Sequence, residues 1–84
     1  MYEVRLARRA FNYYERVDRD TARRLEQCFD DLSQNPFTPG VVRPIRGRRG
    51  LYRYRVGGLR VIFSVERRER VVTVIAIGPR GDIF

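Results

Sequence analysis

Arg53, Arg55 and Arg60 lie in the run Leu51-Tyr52-Arg53-Tyr54-Arg55-Val56-Gly57-Gly58-Leu59-Arg60-Val61-Ile62-Phe63, where charged and apolar residues alternate about a glycine pair. A guanidinium keeps its proton to a pH above ~12, so arginine is a poor general base. It is instead a planar cation whose fork of donors grips phosphate oxygens two at a time. The chemistry such a cluster offers is phosphate binding and stabilisation of negative charge building on a phosphoryl group. Other chemistries are excluded by composition. The chain has no histidine and no lysine. That removes histidine-based zinc sites, Ser-His-Asp triads, two-histidine ribonuclease chemistry, lysine Schiff bases and the Walker A phosphate loop. The single cysteine, Cys28, has no partner for an internal disulfide and no metal-ligand spacing. No metal and no cofactor are implied.

The elements that must position the arginines follow from local pattern. Gly57-Gly58 between alternating runs predicts a two-residue hairpin, with a type I′ turn that needs positive φ at both glycines. The turn fixes the register: Val56 opposite Leu59, Arg55 opposite Arg60, Tyr54 opposite Val61, Arg53 opposite Ile62, Tyr52 opposite Phe63. With a side-chain period of two, one face collects Tyr52, Tyr54, Val56, Leu59, Val61, Phe63 and Val65, and the other Arg53, Arg55 and Arg60. Arg55 directly opposite Arg60 is a like-charge pair, which destabilises a sheet. Local rules tend to break where function requires it. If the next turn is Arg68-Glu69, Arg60 faces Ile77 and Ile62 faces Ile75. Ile62, Ile75 and Ile77 would then form an apolar floor beneath the arginines. Arg80, just past Gly78-Pro79, falls near the same end as Arg60. An apolar floor under charged arms suits a nucleotide.

Upstream, Tyr2 to Leu6 alternates as a short strand. Ala7, Ala10, Phe11, Tyr14 and Val17 fall at helical spacing, and Ala22, Leu25, Phe29 and Leu32 form the stripe of a second helix, with Cys28 at its edge as a small core residue. Asn35-Pro36 stops that helix. Residues 36–50, rich in proline and glycine, read as a surface loop. Strands follow at about 51–56, 59–67 and 70–77, the last ended by Gly78-Pro79. The expected fold is α+β: a short N-terminal strand, a two-helix hairpin, then a three-stranded antiparallel meander. At 84 residues the chain is one domain, residues 1–84.

Charge is unevenly spread. The net charge is +8, and every basic residue is arginine. Residues 1–31 balance seven arginines against seven acids, whereas residues 32–65 hold seven arginines and no acid. A one-sided block of this kind is the electrostatic footprint of a polyanion partner, although a solvated basic face has the same charge. The longest mainly apolar run, Val71 to Ile77, is far below the ~20 residues of a spanning helix. Met1-Tyr2-Glu3-Val4 has no basic-then-apolar leader. A cytoplasmic location away from membranes is the expectation.

The segment Arg46 to Phe63, and in it Leu51-Tyr52-Arg53-Tyr54-Arg55 followed by Arg60-Val61-Ile62-Phe63, resembles the RelE branch of the RelE/ParE toxin superfamily. The ending Ile77-Gly78-Pro79-Arg80-Gly81-Asp82-Ile83-Phe84 resembles that family's tail, and the helical stretch ending Leu32-x-x-Asn35-Pro36 fits as well. The resemblance implies a RelE-like fold and the toxin of a type II toxin-antitoxin system, held inactive by a cognate antitoxin protein. It implies a metal-independent, ribosome-dependent mRNA endonuclease that enters the ribosomal A site, contacts rRNA and inhibits translation. The family's catalytic basic residues map onto Arg53, Arg55, Arg60 and Arg80, and its C-terminal tyrosine onto Phe84. Phe84 can stack on a base but has no hydroxyl, and Gly58-Leu59 stand where Asp-Tyr is common. The alternatives are therefore an inactive or attenuated binding module, or a gyrase inhibitor like some ParE-like members.

Overall fold

A computed structural model describes residues 1–79. Its elements run β1 (Glu3–Leu6), α1 (Arg8–Arg16), α2 (Arg19–Gln34), β2 (Val42–Pro44), β3 (Leu51–Val56), β4 (Leu59–Glu66) and β5 (Val71–Pro79). The five strands form one mixed sheet in the order β1-β5-β4-β3-β2. β1 joins β5 in parallel, and the other pairs are antiparallel. Both helices cover one face.

The α+β expectation holds, with one strand more than the sequence pattern suggested. Val42–Pro44 lies inside the proline- and glycine-rich stretch and pairs with Tyr52–Tyr54 as an edge strand. Three residues ending in proline are too short to show alternation, and proline is tolerated at an edge because its missing N–H faces outward. The last strand also runs further than expected, through Gly78 to Pro79.

The helices are built differently at their starts. Asp18 caps α2, its Oδ1 accepting from the Thr21 N–H at 2.9 Å, and Asp20 lies in the first turn. Both acids suit the positive end of the helix dipole. α1 starts at Ala7 with no side-chain cap, and its first residues are Arg8 and Arg9. Between helices and sheet lies the core: Ala10, Leu25, Cys28, Leu32, Val56, Val61, Phe63, Val72, Val74 and Ile77. Burial, with the charge of Asp31 adding, pushes the Cys28 thiol up to about 12. That agrees with an inert core residue.

Candidate functional site

The β3–β4 hairpin has the register read from the sequence, from Val56↔Leu59 through Arg55↔Arg60 and Arg53↔Ile62 to Tyr52↔Phe63. The turn type is different. Gly57 has φ +57° and Gly58 has no positive φ, the signature of a type II′ rather than a type I′ turn. Both types join strands in the same two-residue register, so the alternation survives.

The β4–β5 register departs from expectation halfway along. From Glu66↔Val71 to Phe63↔Val74 it follows the count from an Arg68-Glu69 turn. A β-bulge then shifts it by one residue, giving Ile62↔Ala76, Val61↔Ile77 and Arg60↔Gly78. The extra residue, Ile75, moves Ile77 to the helix face, where it is buried in the core. The expected floor of Ile62, Ile75 and Ile77 is therefore corrected. Opposite Ile62 stands Ala76, opposite Arg60 stands a glycine, and Ile62 and Ala76 are both fully buried.

The arginines meet as expected and gain company. Rows across the sheet place Arg43, Arg53, Ile62 and Ala76 side by side, and next to them Arg55, Arg60 and Gly78. Arg43 opposite Arg53 is a second like-charge pair, invisible in the sequence because β2 was not legible. Beside β2 the chain makes two consecutive turns: the Arg48 N–H donates to the Ile45 carbonyl at 3.1 Å and the Leu51 N–H to the Arg48 carbonyl at 3.2 Å. Gly47 and Gly50 occupy their third positions with φ +79° and +82°, as type II turns require. Ile45 is tied back to Leu51 by its N–H at 3.0 Å, which brings Arg46 and Arg48 over the open face. The result is a cleft of about 960 Å³ lined by Arg43, Arg46, Arg48, Arg53, Arg55 and Arg60, with Gly40, Pro44 and Ile45. No acid lines it among the described residues.

Arg60 is the least comfortable member. Its Nε is buried and has no hydrogen-bond partner among the described residues. A buried unsatisfied donor costs ~1–3 kcal/mol, which is tolerated where a site has a use for it. Arg80 and Phe84 lie outside the described residues.

The tyrosines between the arginines face the other way. The Tyr54 hydroxyl donates to Asp31 Oδ2 on α2 at 2.6 Å. Burial, and after it this hydrogen bond, push its pKa well above the usual phenol range. Tyr52 lies against Phe63 and Phe37, ring centroids 5.8 and 5.7 Å away. Tyr54 thus fastens the sheet to α2, and Tyr52 to the segment that follows it.

Comparison with known proteins places the fold and the family. The family model of the ParE toxin of type II toxin-antitoxin systems, parDE, matches residues 4–84. No curated protein sequence matches significantly. Among solved structures, a chain of the archaeal RelE–RelB complex from Pyrococcus horikoshii OT3 is 27% identical with a TM-score of 0.82, covering 96% of this chain and 97% of that one. A chain of the RelBE2 toxin–antitoxin complex from Mycobacterium tuberculosis is also 27% identical, with a TM-score of 0.76 and coverage of 94% and 98%. The isolated E. coli RelE toxin has a TM-score of 0.82 and coverage of 99% and 90%; at 20% identity it speaks for the fold alone.

Proposed function

The chain belongs to the ParE toxin family and is a type II toxin-antitoxin toxin of the RelE/ParE superfamily, and on that footing we propose that it acts as a ribosome-dependent mRNA endonuclease. The observation that carries this reading is the arginine cleft, lined by no acid among the described residues, in which two like-charge pairs are held side by side on one sheet face. An anion with several phosphates relieves both pairs at once.

The reaction is attack of an RNA 2′-hydroxyl on the adjacent phosphorus. The 2′-O–P bond forms, the P–O5′ bond breaks, and the 2′-OH proton leaves to a base while the departing 5′-oxygen takes one up. The products are a 2′,3′-cyclic phosphate and a 5′-hydroxyl. Negative charge grows on the phosphoryl oxygens, and Arg60 and Arg80 are assigned to hold it. Arg53 and Arg55 are assigned to the nucleophile and leaving-group side, and Phe84 to stacking on a base. Arg43 adds a phosphate contact beside Arg53. Tyr54 is not the base: it lies on the helix face with its hydroxyl bound to Asp31. Tyr52 likewise faces away from the cleft, against Phe63 and Phe37, and the role of base is assigned to a ribosomal group.

Two matched structures are of toxin–antitoxin complexes, RelE–RelB and RelBE2. For this chain the corresponding partner is an antitoxin with an acidic segment that crosses the arginine face and blocks it. The place of action is the cytoplasm, where ribosomes and mRNA are. Among the described residues no helix is long and apolar enough to cross a membrane.

The test is purified protein added to a reconstituted translation reaction, with primer extension on the mRNA and a matched sample without ribosomes. Cuts that need ribosomes, and vanish in a folded Arg60→Ala variant, are the expected result. The family model that matches is that of a ParE toxin, and the resemblance to ParE-like members makes gyrase the alternative target. Loss of supercoiling activity without mRNA cuts would replace the nuclease reading with that one.

A further inference from the structure

The first 31 residues are neutral in sum, with seven arginines and seven acids, and the sum conceals a separation. Four of the acids lie on α2, and Glu15, exposed on α1, stands at the border of the arginine face and does not line its cavity. Several acids have partners elsewhere: Glu26 accepts from the Tyr14 hydroxyl, Asp31 from Tyr54 and Gln27, Asp18 from Thr21, and Glu3 from Arg5. None of these contacts reaches the arginines of α1. Arg8, Arg9 and Arg16 are exposed and make no ion pair among the described residues. With Asn12 and Tyr13 they line one shallow cavity of about 550 Å³ on the outer surface of α1. At 100° per residue these five positions span a single face of the helix.

At the start of α1 this arrangement runs against helix stability, while Arg16 in the last turn suits the dipole. Arg8 and Arg9 stand in the first turn, where the dipole favours acids, and no side chain caps the start. α2, a few residues later, has both the cap and the acid. α1 packs on β5, with smaller contacts to β1 and α2. It therefore sits on the opposite face of the sheet from the arginine cleft and towards the opposite edge.

We propose that the outer face of α1, through Arg8, Arg9, Asn12, Tyr13 and Arg16, is a second RNA-binding surface that grips the sugar-phosphate backbone of double-stranded RNA. Three cations against the single acid Glu15 at the border of the face select an anion. The two neutral members, an amide and a phenol, are hydrogen-bonding groups suited to phosphate oxygens and 2′-hydroxyls. A protein partner would want an apolar centre to its patch. Here the one carbon-rich member, Tyr13, is half-buried against the core, and the exposed Phe11 points from another side of the helix. A polar, strongly positive surface is what nucleic-acid interfaces have. The inference stands apart from the cleavage reading, since it concerns binding on the opposite face.

The test uses the full chain and a fluorescein-labelled 20-base-pair RNA duplex, with anisotropy read across a salt series. The variant is Arg8→Gln/Arg9→Gln/Arg16→Gln, checked for an unchanged thermal melt; Arg16→Gln alone is the second variant if the triple one fails to fold. A single-stranded RNA hexamer, directed at the cleft, is the control. Duplex affinity of the triple variant should fall about tenfold or more, and its log–log salt slope should shrink by about 2 to 3, one unit per lost phosphate contact. Hexamer affinity should change by less than twofold. Unchanged duplex affinity and slope in the folded variant would overturn the proposal. So would a variant that keeps duplex binding and loses only binding to an acidic polyglutamate peptide, which would assign the face to a protein. Neither result depends on whether the protein cuts mRNA.

Discussion

The two faces of this sheet are made by alternate residues of the same strands and follow opposite rules. On the helix-covered face, Val56, Val61, Phe63, Val72, Val74 and Ile77 are buried together, and the Tyr54 hydroxyl finds a carboxylate. On the other, Arg43 lies beside Arg53 and Arg55 beside Arg60, and among the described residues no acid lines the cleft and the Arg60 Nε is buried without a partner. The period of two keeps stability and ligand binding on separate surfaces. One face can be selected for packing while the other accumulates charge that packing would never choose.

If that division is right, substitutions on the two faces should differ in sign. The largest effect belongs to the helix face. Phe63→Ala removes a fully buried ring from the middle of the core and should cost about 3–5 kcal/mol, read as a lowered urea midpoint. For a domain of this size, much of the total stability would go with it.

Alkaline pH probes the same face without a mutation. Cys28 and Tyr54 both have folded pKa values raised above the unfolded ones, chiefly by burial. Their protonated forms therefore favour the native state. That contribution is whole below pH 9.0, the ordinary value for the thiol, and is lost as pH climbs towards about 12. Urea titrations above pH 9 should show stability falling by up to about 1.4 kcal/mol per pH unit for each group that ionises only on unfolding. Cys28→Ala should flatten the first part of that fall.

The turn joining β3 to β4 should respond less. Gly57→Ala meets a φ of +57° and places a Cβ 3.3 Å from Arg24 Nη1, the mobile tip of a long side chain. A loss of about 1 kcal/mol is expected, nearly all of it from the backbone.

Legibility in the sequence follows the same division. The β3–β4 register was readable because a glycine pair and strict alternation leave one solution, so Arg53, Arg55 and Arg60 could be placed on one face. Arg43 was not, because a three-residue edge strand ending in Pro44 has too few positions to show a period. The β4–β5 register was readable only as far as Phe63↔Val74. Val71 to Ile77 is almost wholly apolar, and a run that is apolar on both faces does not reveal which residue will bulge. The α1 surface stayed hidden for a third reason: charge summed along the chain cancels acids of α2 that point elsewhere in space.

The arginine face should give the smallest energy change and the opposite sign. Arg55→Thr/Arg60→Thr removes a like-charge pair and an unmatched donor, and should raise stability by roughly 0.5 kcal/mol. Measuring urea unfolding and ribosome-dependent mRNA cleavage on that one double variant tests the central claim directly. A protein that is at least as stable as the parent and cuts at least a hundredfold more slowly is the predicted result. A folded double variant that cuts as fast as the parent would contradict the account and leave the arginine face without its assigned role.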